Sequence, residues 1–368
     1  MRFLLVTDTY LPDVNGVTMS ILRQANALKG CGHTVEIVGP KRCQVNRPVN
    51  SWSPFSTVDP MYRAEIPIQL STIHNAVFTA DRIHIHTPFG FGQAVAHFAK
   101  KLNKEIVYTH HTNFFDDYMH YLGILNIKPM RRFLLKFYRH FLSSITTIIV
   151  PTQSAALSLW KLCPDIAPAT VVLPSPGFSF EPLCQPGDER DIDVIYVGRI
   201  APEKNTKLAI DAIRVFCERE PRRNIAILGD GVQREFLEMS VRKLPYTKIL
   251  FHGNVSNETV HKLLLKSKVM LFTSQSDTQA LVIDEAAACG VPAVTVDSPL
   301  MRERIIPGKT GWVCSATPQT ISEELSNALG CLNERGNNIR RACLESIRYS
   351  NLRDWAHDYL NIVRRKYE

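Results

Sequence analysis

Short apolar runs alternate with longer stretches of helical spacing from one end of the chain to the other. The first run, Phe3–Thr7, is rich in β-forming residues. A loop of Pro, Asp, Asn and Gly follows over Tyr10–Gly16, then a helical pattern from Val17 to Lys29 and a second strand over Thr34–Val38 after glycines at 30 and 32. Strand, loop, helix, glycine turn and strand in that order mark a parallel sheet covered by helices. Arg82–His86 and Ile106–His110 read as strands around a helix near Phe91–Leu102. Ile145–Val150 reads as another strand, followed by a helix near Ser154–Leu162 and a strand at Thr170–Leu173.

Between Phe178 and Asp193 the chain turns polar, contains Pro and Gly, and loses its periodicity, which places a linker there. A second alternation begins beyond it. Strands are expected at Asp193–Val197, Asn224–Leu228, Ile249–His252, Val269–Thr273 and Ala293–Asp297, with helices near Lys207–Glu220, Gln233–Lys243, Glu258–Lys266 and Leu281–Cys289. The expected fold is α/β: two Rossmann-like domains, 1–180 and 190–350, facing across a cleft. A C-terminal helical stretch, 351–368 with its core at Leu352–Lys366, is expected to cross back to the first domain. Open α/β sheets hold ligands at the carboxyl ends of their strands, here expected to open on that cleft.

Composition adds limits. At 368 residues the chain suits two ordinary domains, and 45% hydrophobic with 21% charged residues is the balance of a globular protein. No apolar run reaches the roughly 18 residues that cross a bilayer. The N-terminal MRFLLVTD meets Asp8 too soon for a signal peptide. A cytoplasmic protein is the expectation. Nine scattered cysteines (31, 43, 163, 184, 217, 289, 314, 331, 343) without a CxxC pair argue against a disulfide framework or a structural zinc site. A net charge of +8 favours anionic partners. No zinc-finger spacing or RNP-type aromatic motif supports nucleic acid.

The most informative segment is Phe272–Pro292. A polar loop leads from a strand into a helix near Ala280, so the unpaired amides of Thr278, Gln279, Ala280, Leu281 and Val282 point at whatever binds there. Asp277 and Glu285, with seven residues between them, flank this turn, and carboxylates accept hydrogen bonds well from vicinal hydroxyls of a sugar. An ordinary amphipathic helix with an acid near its cap reads equally well from this pair alone. The segment Val197-Gly198-Arg199-Ile200-Ala201-Pro202-Glu203-Lys204 closes the first strand of the second domain. Its two cations, Arg199 and Lys204, stand five positions apart on a loop at a strand's carboxyl end, and surface ion pairs with Glu203 are the plain reading of them alone.

Together the two segments resemble the E-x7-E signature, in a variant opening with Asp, and the G-R-x-x-x-x-K pair of the GT-B, family-4 retaining glycosyltransferases. The resemblance implies that Glu285 binds the donor ribose, that Asp277 contacts the transferred sugar, and that Arg199 and Lys204 neutralise the diphosphate. Gly229-Asp230-Gly231 and His252-Gly253-Asn254-Val255 resemble loops at the base end of the pocket; each alone is only a turn signal. The Gly16 loop resembles the family's glycine loop, though a helix-start turn accounts for it equally. Tyr108–Phe114 resembles the strand-end H-T motif, which maps the histidine touching the donor sugar to His111. His110 and His111 should point to opposite faces. His86 and Thr87, after a His-x-His strand, are second-choice site residues. The His-x-His pattern raises a metal as an alternative, but no third ligand is suitably spaced. One departure is Gln279-Ala280 where the family commonly has Phe-Gly. It bears on the donor sugar more than on the fold.

No Asp or Glu occurs between Asp117 and Asp165. Met130, Phe133, Leu134, Phe137, Phe141 and Ile145 recur at helical spacing, with Lys128, Arg132, Lys136 and Arg139 opposite. Two readings stand: a helix packed by its aromatic stripe, or an interfacial helix over 128–145 that seats a peripheral protein on an anionic membrane surface. The pattern resembles family members that glycosylate diacylglycerol-type or phosphatidylinositol-type lipids. The function expected is therefore transfer of a hexose, with retention, from a UDP- or GDP-sugar to a lipid-linked or sugar hydroxyl. No cofactor or required metal is implied. A sugar-nucleotide epimerase and a non-catalytic sugar-nucleotide binding protein are the alternatives.

Overall fold

The computed structural model describes residues 1–53, 65–112, 128–177, 189–242, 244, 247–347 and 351–364. Asn113, Phe114, Asp117, Cys184 and most of the 178–193 linker lie outside them. The chain divides into two compact units, Met1–Gly177 with Asn351–Glu368, and Phe178–Ser350.

Phe3–Val6 is a continuous apolar run with every residue buried, the condition of a strand covered on both faces. In the first unit the elements are β1 (Arg2–Val6), α1 (Gly16–Gly30), β2 (Thr34–Pro40), β3 (Arg47–Val49), β4 (Ser51–Trp52), β5 (Ile66–Pro67), α2 (Leu70–Thr79), β6 (Arg82–Ile85), α3 (Gly90–Lys101), β7 (Ile106–Thr109), α4 (Lys128–Leu142), β8 (Thr147–Val150), α5 (Gln153–Leu162) and β9 (Thr170–Val172). Seven strands form one sheet in the order β3-β2-β1-β6-β7-β8-β9, every pairing parallel. β4 and β5 form a separate antiparallel ribbon. Its short pieces, like α2, carry too little periodicity to be named from the sequence.

The second unit repeats the plan with β10 (Ile192–Val197), α6 (Thr206–Arg219), β11 (Asn224–Leu228), α7 (Arg234–Val241), β12 (Lys248–Gly253), α8 (Asn257–Leu265), β13 (Ser267–Phe272), α9 (Leu281–Ala288), β14 (Ala293–Val296), α10 (Pro299–Arg304), β15 (Gly311–Cys314) and α11 (Pro318–Glu345). Its sheet runs β12-β11-β10-β13-β14-β15. α10, β15 and the long α11 were not expected. Yet α11 buries Ile321, Leu325, Ala328, Leu329, Leu332, Ile339 and Cys343, a helical series that was available in the sequence. Two glycines and a non-helical Arg335 interrupt it.

The last helix, α12 (Leu352–Arg364), belongs to the first unit, where it packs on α1. It buries Trp355, Ala356, Tyr359, Leu360 and Val363, one stripe at helical spacing. Burying the Tyr359 side chain stabilises the unit by roughly 2 kcal/mol. The Trp355 indole donates to the Pro174 carbonyl at 2.7 Å, so the stripe is tied at its polar edge as well.

One expectation is corrected at α4. The buried stripe is Tyr138, Phe141 and Leu142, with Leu134 and Leu135 partly covered; Phe133 and Phe137 are exposed, at 63% and 41%. The helix is turned from the expected face because the Tyr138 hydroxyl finds partners inside, His110 Nδ1 at 2.9 Å and the Tyr108 hydroxyl at 3.3 Å. A phenol so bonded can be buried. Lys128, Arg132, Lys136 and Arg139 are exposed as expected. Among the described residues no helix is long and apolar enough to cross a membrane.

Candidate active site

In the second sheet the strand order reverses between β10 and β13, and open parallel sheets hold ligands at the carboxyl ends of such a pair. β10 hands over there to Gly198-Arg199, and β13 to the loop 273–280. Backbone hydrogen bonds lace these loops together. The Gly198 amide donates to the Leu228 carbonyl (3.0 Å), that of Ile200 to Asp230 (2.9 Å) and that of Gly229 to Gly253 (2.9 Å). The Thr273 hydroxyl donates to the Lys204 carbonyl at 3.1 Å.

The charges meet on this platform. Lys204 Nζ donates to Asp277 Oδ1 at 2.5 Å, and Arg199 pairs with the almost wholly buried Glu203 at 2.5 Å. Burial alone would push the Asp277 carboxyl up. The charge and hydrogen bond of Lys204, with the charge of Arg199, hold it below the usual carboxylate range instead. Asp277 is thus a fixed anion at neutral pH, able only to accept hydrogen bonds. The ion pair of Arg199 with Glu203 is the bland arrangement foreseen from the sequence, but it is a well-covered contact rather than a solvated one.

α9 begins beyond Thr278 and Gln279, both buried. Ala280, at φ 57° and ψ 62°, stands in the left-handed region immediately before it. A Cβ there costs about 1 kcal/mol relative to glycine, and this is the position where the family resemblance has glycine. The left-handed turn lets Leu281 and Val282 open the helix with their amides at its positive end. The Gln279 side chain is tied to the helix that follows it. Its amide nitrogen donates to Asp284 Oδ2 at 3.2 Å, and Asp284 is also paired to Arg304. Glu285 is half-buried on the following turn. Val255 and Val282 pack against one apolar cluster, so the loop after β12 is anchored to the same body as α9.

In the first unit the reversal falls between β1 and β6. Gly16 is the exposed first residue of α1, and the Asn15 side chain caps the helix by accepting from the Thr18 amide at 2.9 Å. At the same end of the sheet lies a polar cluster of which only Thr87 was singled out as a site residue from the sequence. The Asp8 carboxylate accepts from the Thr87 hydroxyl at 2.5 Å, and Arg42 pairs with Asp13 and with the buried Glu65. Burial pushes the Asp8 carboxyl up to about 7 against the hydrogen bonds from Thr87 and the Phe91 amide. The usable signal was an acid two residues past the buried β1.

His110 and His111 do point apart. His110 turns into the core toward Tyr138, while His111 Nε2 lies 2.9 Å from His86 Nδ1. Although part of its ring is exposed, the protein packed around His111 pushes its protonation down to about 3, and burial likewise holds His84 and His86 neutral. Among the described residues no group of three or more His, Cys, Asp or Glu is gathered to hold a metal.

Two Rossmann-type sheets, with cations and a helix N-terminus at the reversal of the second, define a protein that handles a phosphorylated nucleotide ligand. Comparison with known proteins narrows the class. Residues 14–177 match the model of Glycosyltransferase Family 4 and residues 185–342 that of Glycosyl transferases group 1. The chain belongs to the GT-B glycosyltransferases of this family, and neither the epimerase nor the binding-protein alternative is favoured.

It is 25% identical to an alpha-monoglucosyldiacylglycerol synthase of Streptococcus pneumoniae, over 83% of this chain and 73% of that protein. It is 26% identical to a GDP-mannose-dependent alpha-mannosyltransferase of Mycolicibacterium smegmatis, over 84% of each. In fold it is similar to the Anabaena protein HepE solved with UDP (TM-score 0.72, 14% identity, 99% of this chain and 100% of that one). A second likeness is the pneumococcal O-GlcNAc transferase GtfA solved with UDP and GlcNAc (TM-score 0.73, 11% identity, 100% and 99%).

Proposed function

We propose that this glycosyltransferase moves a hexose, with retention and without a metal ion, from a UDP- or GDP-sugar to a hydroxyl of a membrane glycolipid precursor. The observation that carries the donor half is the junction of Lys204 with Asp277 at the reversal of the second sheet. A cation and an acid side by side support the reading that they serve adjacent parts of one ligand, the diphosphate and the sugar. The second unit holds the nucleotide sugar, with Glu285 on the ribose and Gly198, Gly229 and Val255 along the base and phosphates. The first unit serves the acceptor, and its His111 contacts the transferred sugar.

As the C1–O bond breaks, charge grows on the leaving diphosphate. Arg199, Lys204 and the first amides of α9 stabilise it in place of a metal. The acceptor oxygen bonds to C1 on the face the diphosphate leaves, and its proton passes to a phosphate oxygen. Activity should therefore survive EDTA; loss of transfer that magnesium restores would overturn the metal-free mechanism. Mass spectrometry of lipid extracts incubated with a panel of sugar nucleotides tests the reaction itself. A new hexosyl lipid is the expected product.

The lipid acceptor is supported by the named relatives and by the surface of the first unit. Phe133 and Phe137 stand exposed beside Lys136 on α4, and Trp52, Ile66 and Ile68 are exposed on and beside the β4–β5 ribbon. Exposed aromatics next to cations suit an anionic interface. The wild-type chain should sediment with vesicles containing anionic lipid and not with neutral ones. The double variant F133A/F137A should bind more weakly by about thirtyfold or more, since each ring contributes roughly 1 kcal/mol or more of burial. Equal sedimentation of variant and wild type would remove α4 from the membrane contact.

A further inference from the structure

A column of stacked rings runs through the first unit from the C-terminal helix to His111. Trp355 stacks on Tyr359 (5.1 Å between centroids), Tyr359 on His84 (5.4 Å), His84 on His86 (4.3 Å) and His86 on His111 (5.2 Å), with interplanar angles of 9°, 11°, 13° and 17°. Its base is rigid. His84 Nε2 lies 2.7 Å from the Thr109 hydroxyl, while His84 Nδ1 meets the Gln24 amide at 2.7 Å and the Tyr359 hydroxyl at 2.9 Å. His86 therefore sits on a fixed plane, 2% exposed, with its Nδ1 at 2.9 Å from His111 Nε2.

We propose that His86 is a positioning residue that locks His111 in its Nδ1–H tautomer, so that His111 meets the transferred sugar as a hydrogen-bond donor. The argument turns on the other nitrogen of His86. Its Nε2 is buried and has no hydrogen-bond partner among the described residues. A buried orphan N–H costs more than a buried bare lone pair, so the single proton of neutral His86 sits on Nδ1. Between the two rings only one proton fits. If His86 Nδ1 donates, His111 Nε2 must accept, and the proton of neutral His111 is left on Nδ1. In water the Nε2–H tautomer of a neutral histidine is the commoner one, so this contact reverses the ring's ordinary preference. A donor next to the reacting sugar can bond a hydroxyl oxygen or an oxygen gaining charge, which an acceptor cannot.

The inference rests on the reading that His111 touches the donor sugar, and the test separates the two. In protein labelled with 15N-histidine, long-range 1H–15N correlation spectra report the tautomer of each ring, and His111→Asn identifies the His111 signals. The expected wild-type pattern is Nδ1–H. His86→Phe keeps a stacked ring but removes the donor. It should move His111 toward Nε2–H and lower kcat by about tenfold, the worth of one hydrogen bond, with donor KM changed by less than about twofold. His86→Asn places an amide donor near the old Nδ1 and should restore both the tautomer and most of the rate. An Nε2–H pattern in the wild type, or a His86→Phe protein with unchanged tautomer and kcat, would overturn the proposal. Should His86→Phe not fold, the wild-type spectrum and the Asn variant decide. Full transfer by His111→Asn would instead sink the reading of His111 as a sugar contact, with the tautomer still judged by the spectra.

Discussion

Lys204→Ala is expected to lower kcat/KM by about 10²- to 10³-fold while leaving the chain folded, the scale seen when one charge-stabilising donor is lost from a transition state. In the proposed mechanism the side chain does two things: it faces the growing charge of the diphosphate, and from 2.5 Å it is the main charge that holds Asp277 ionised. Without it burial is opposed only by weaker contacts, and the Asp277 carboxyl rises from its present value. Arg199 remains, but it is engaged with Glu203.

The accompanying change in stability has a defined sign. Asp277 titrates lower in the folded chain than in the unfolded one, so its pairing stabilises fully above the unfolded value of about 4 and is lost as pH falls through the folded value. The gap in unfolding free energy between wild type and variant should thus be present at pH 7 and close in acid. Steady-state release of nucleoside diphosphate, read beside circular dichroism, measures both effects. A folded Lys204→Ala protein with undiminished transfer would remove the donor assignment altogether.

Gly229→Ala should destabilise the second unit by about 3 kcal/mol, lowering its melting temperature by about 6–12 °C. Gly229 has φ 132°, and a Cβ built on it stands 1.9 Å from the Gly198 carbonyl oxygen. That oxygen belongs to backbone held on both sides, through Gly198 N to Leu228 and Ile200 N to Asp230. Relief must move the very segment that carries Arg199, so activity should fall as well. Gly30→Ala is the control. Nothing lies within 4 Å of its added Cβ, and its melting temperature should stay within about 2 °C of wild type. An equally small shift in Gly229→Ala would mean that the three glycine-rich loops are not packed as tightly as their contacts imply.

The parts of the site that were legible in the sequence are those where chemistry is local. A strand end followed by Gly and Arg, and an acid before a helix that opens with Leu and Val, are short patterns whose geometry the backbone fixes within a few residues. What the Gln279 side chain does was not legible, because its partner Asp284 is in turn paired with Arg304 from the next helix. The face that α4 buries was set by a contact that spacing does not show. Phe133 and Phe137 share the helical stripe, but Tyr138 brings a hydroxyl that meets His110 Nδ1 and the Tyr108 hydroxyl.

The chain by itself determined its alternation of buried strands and amphipathic helices, and with it two parallel sheets, because hydrophobic period and glycine punctuation act over single elements. It also determined which residues carry charge to the two strand ends. Tertiary structure alone decided that Lys204 and Asp277 meet, that Asp8 is buried with a raised protonation, and that a tyrosine from the last helix stacks on His84 of β6. Each of these joins residues far apart in the chain. Such contacts follow from strand order and helix rotation, which depend on the packing of the whole unit and leave no mark in any one stretch of sequence.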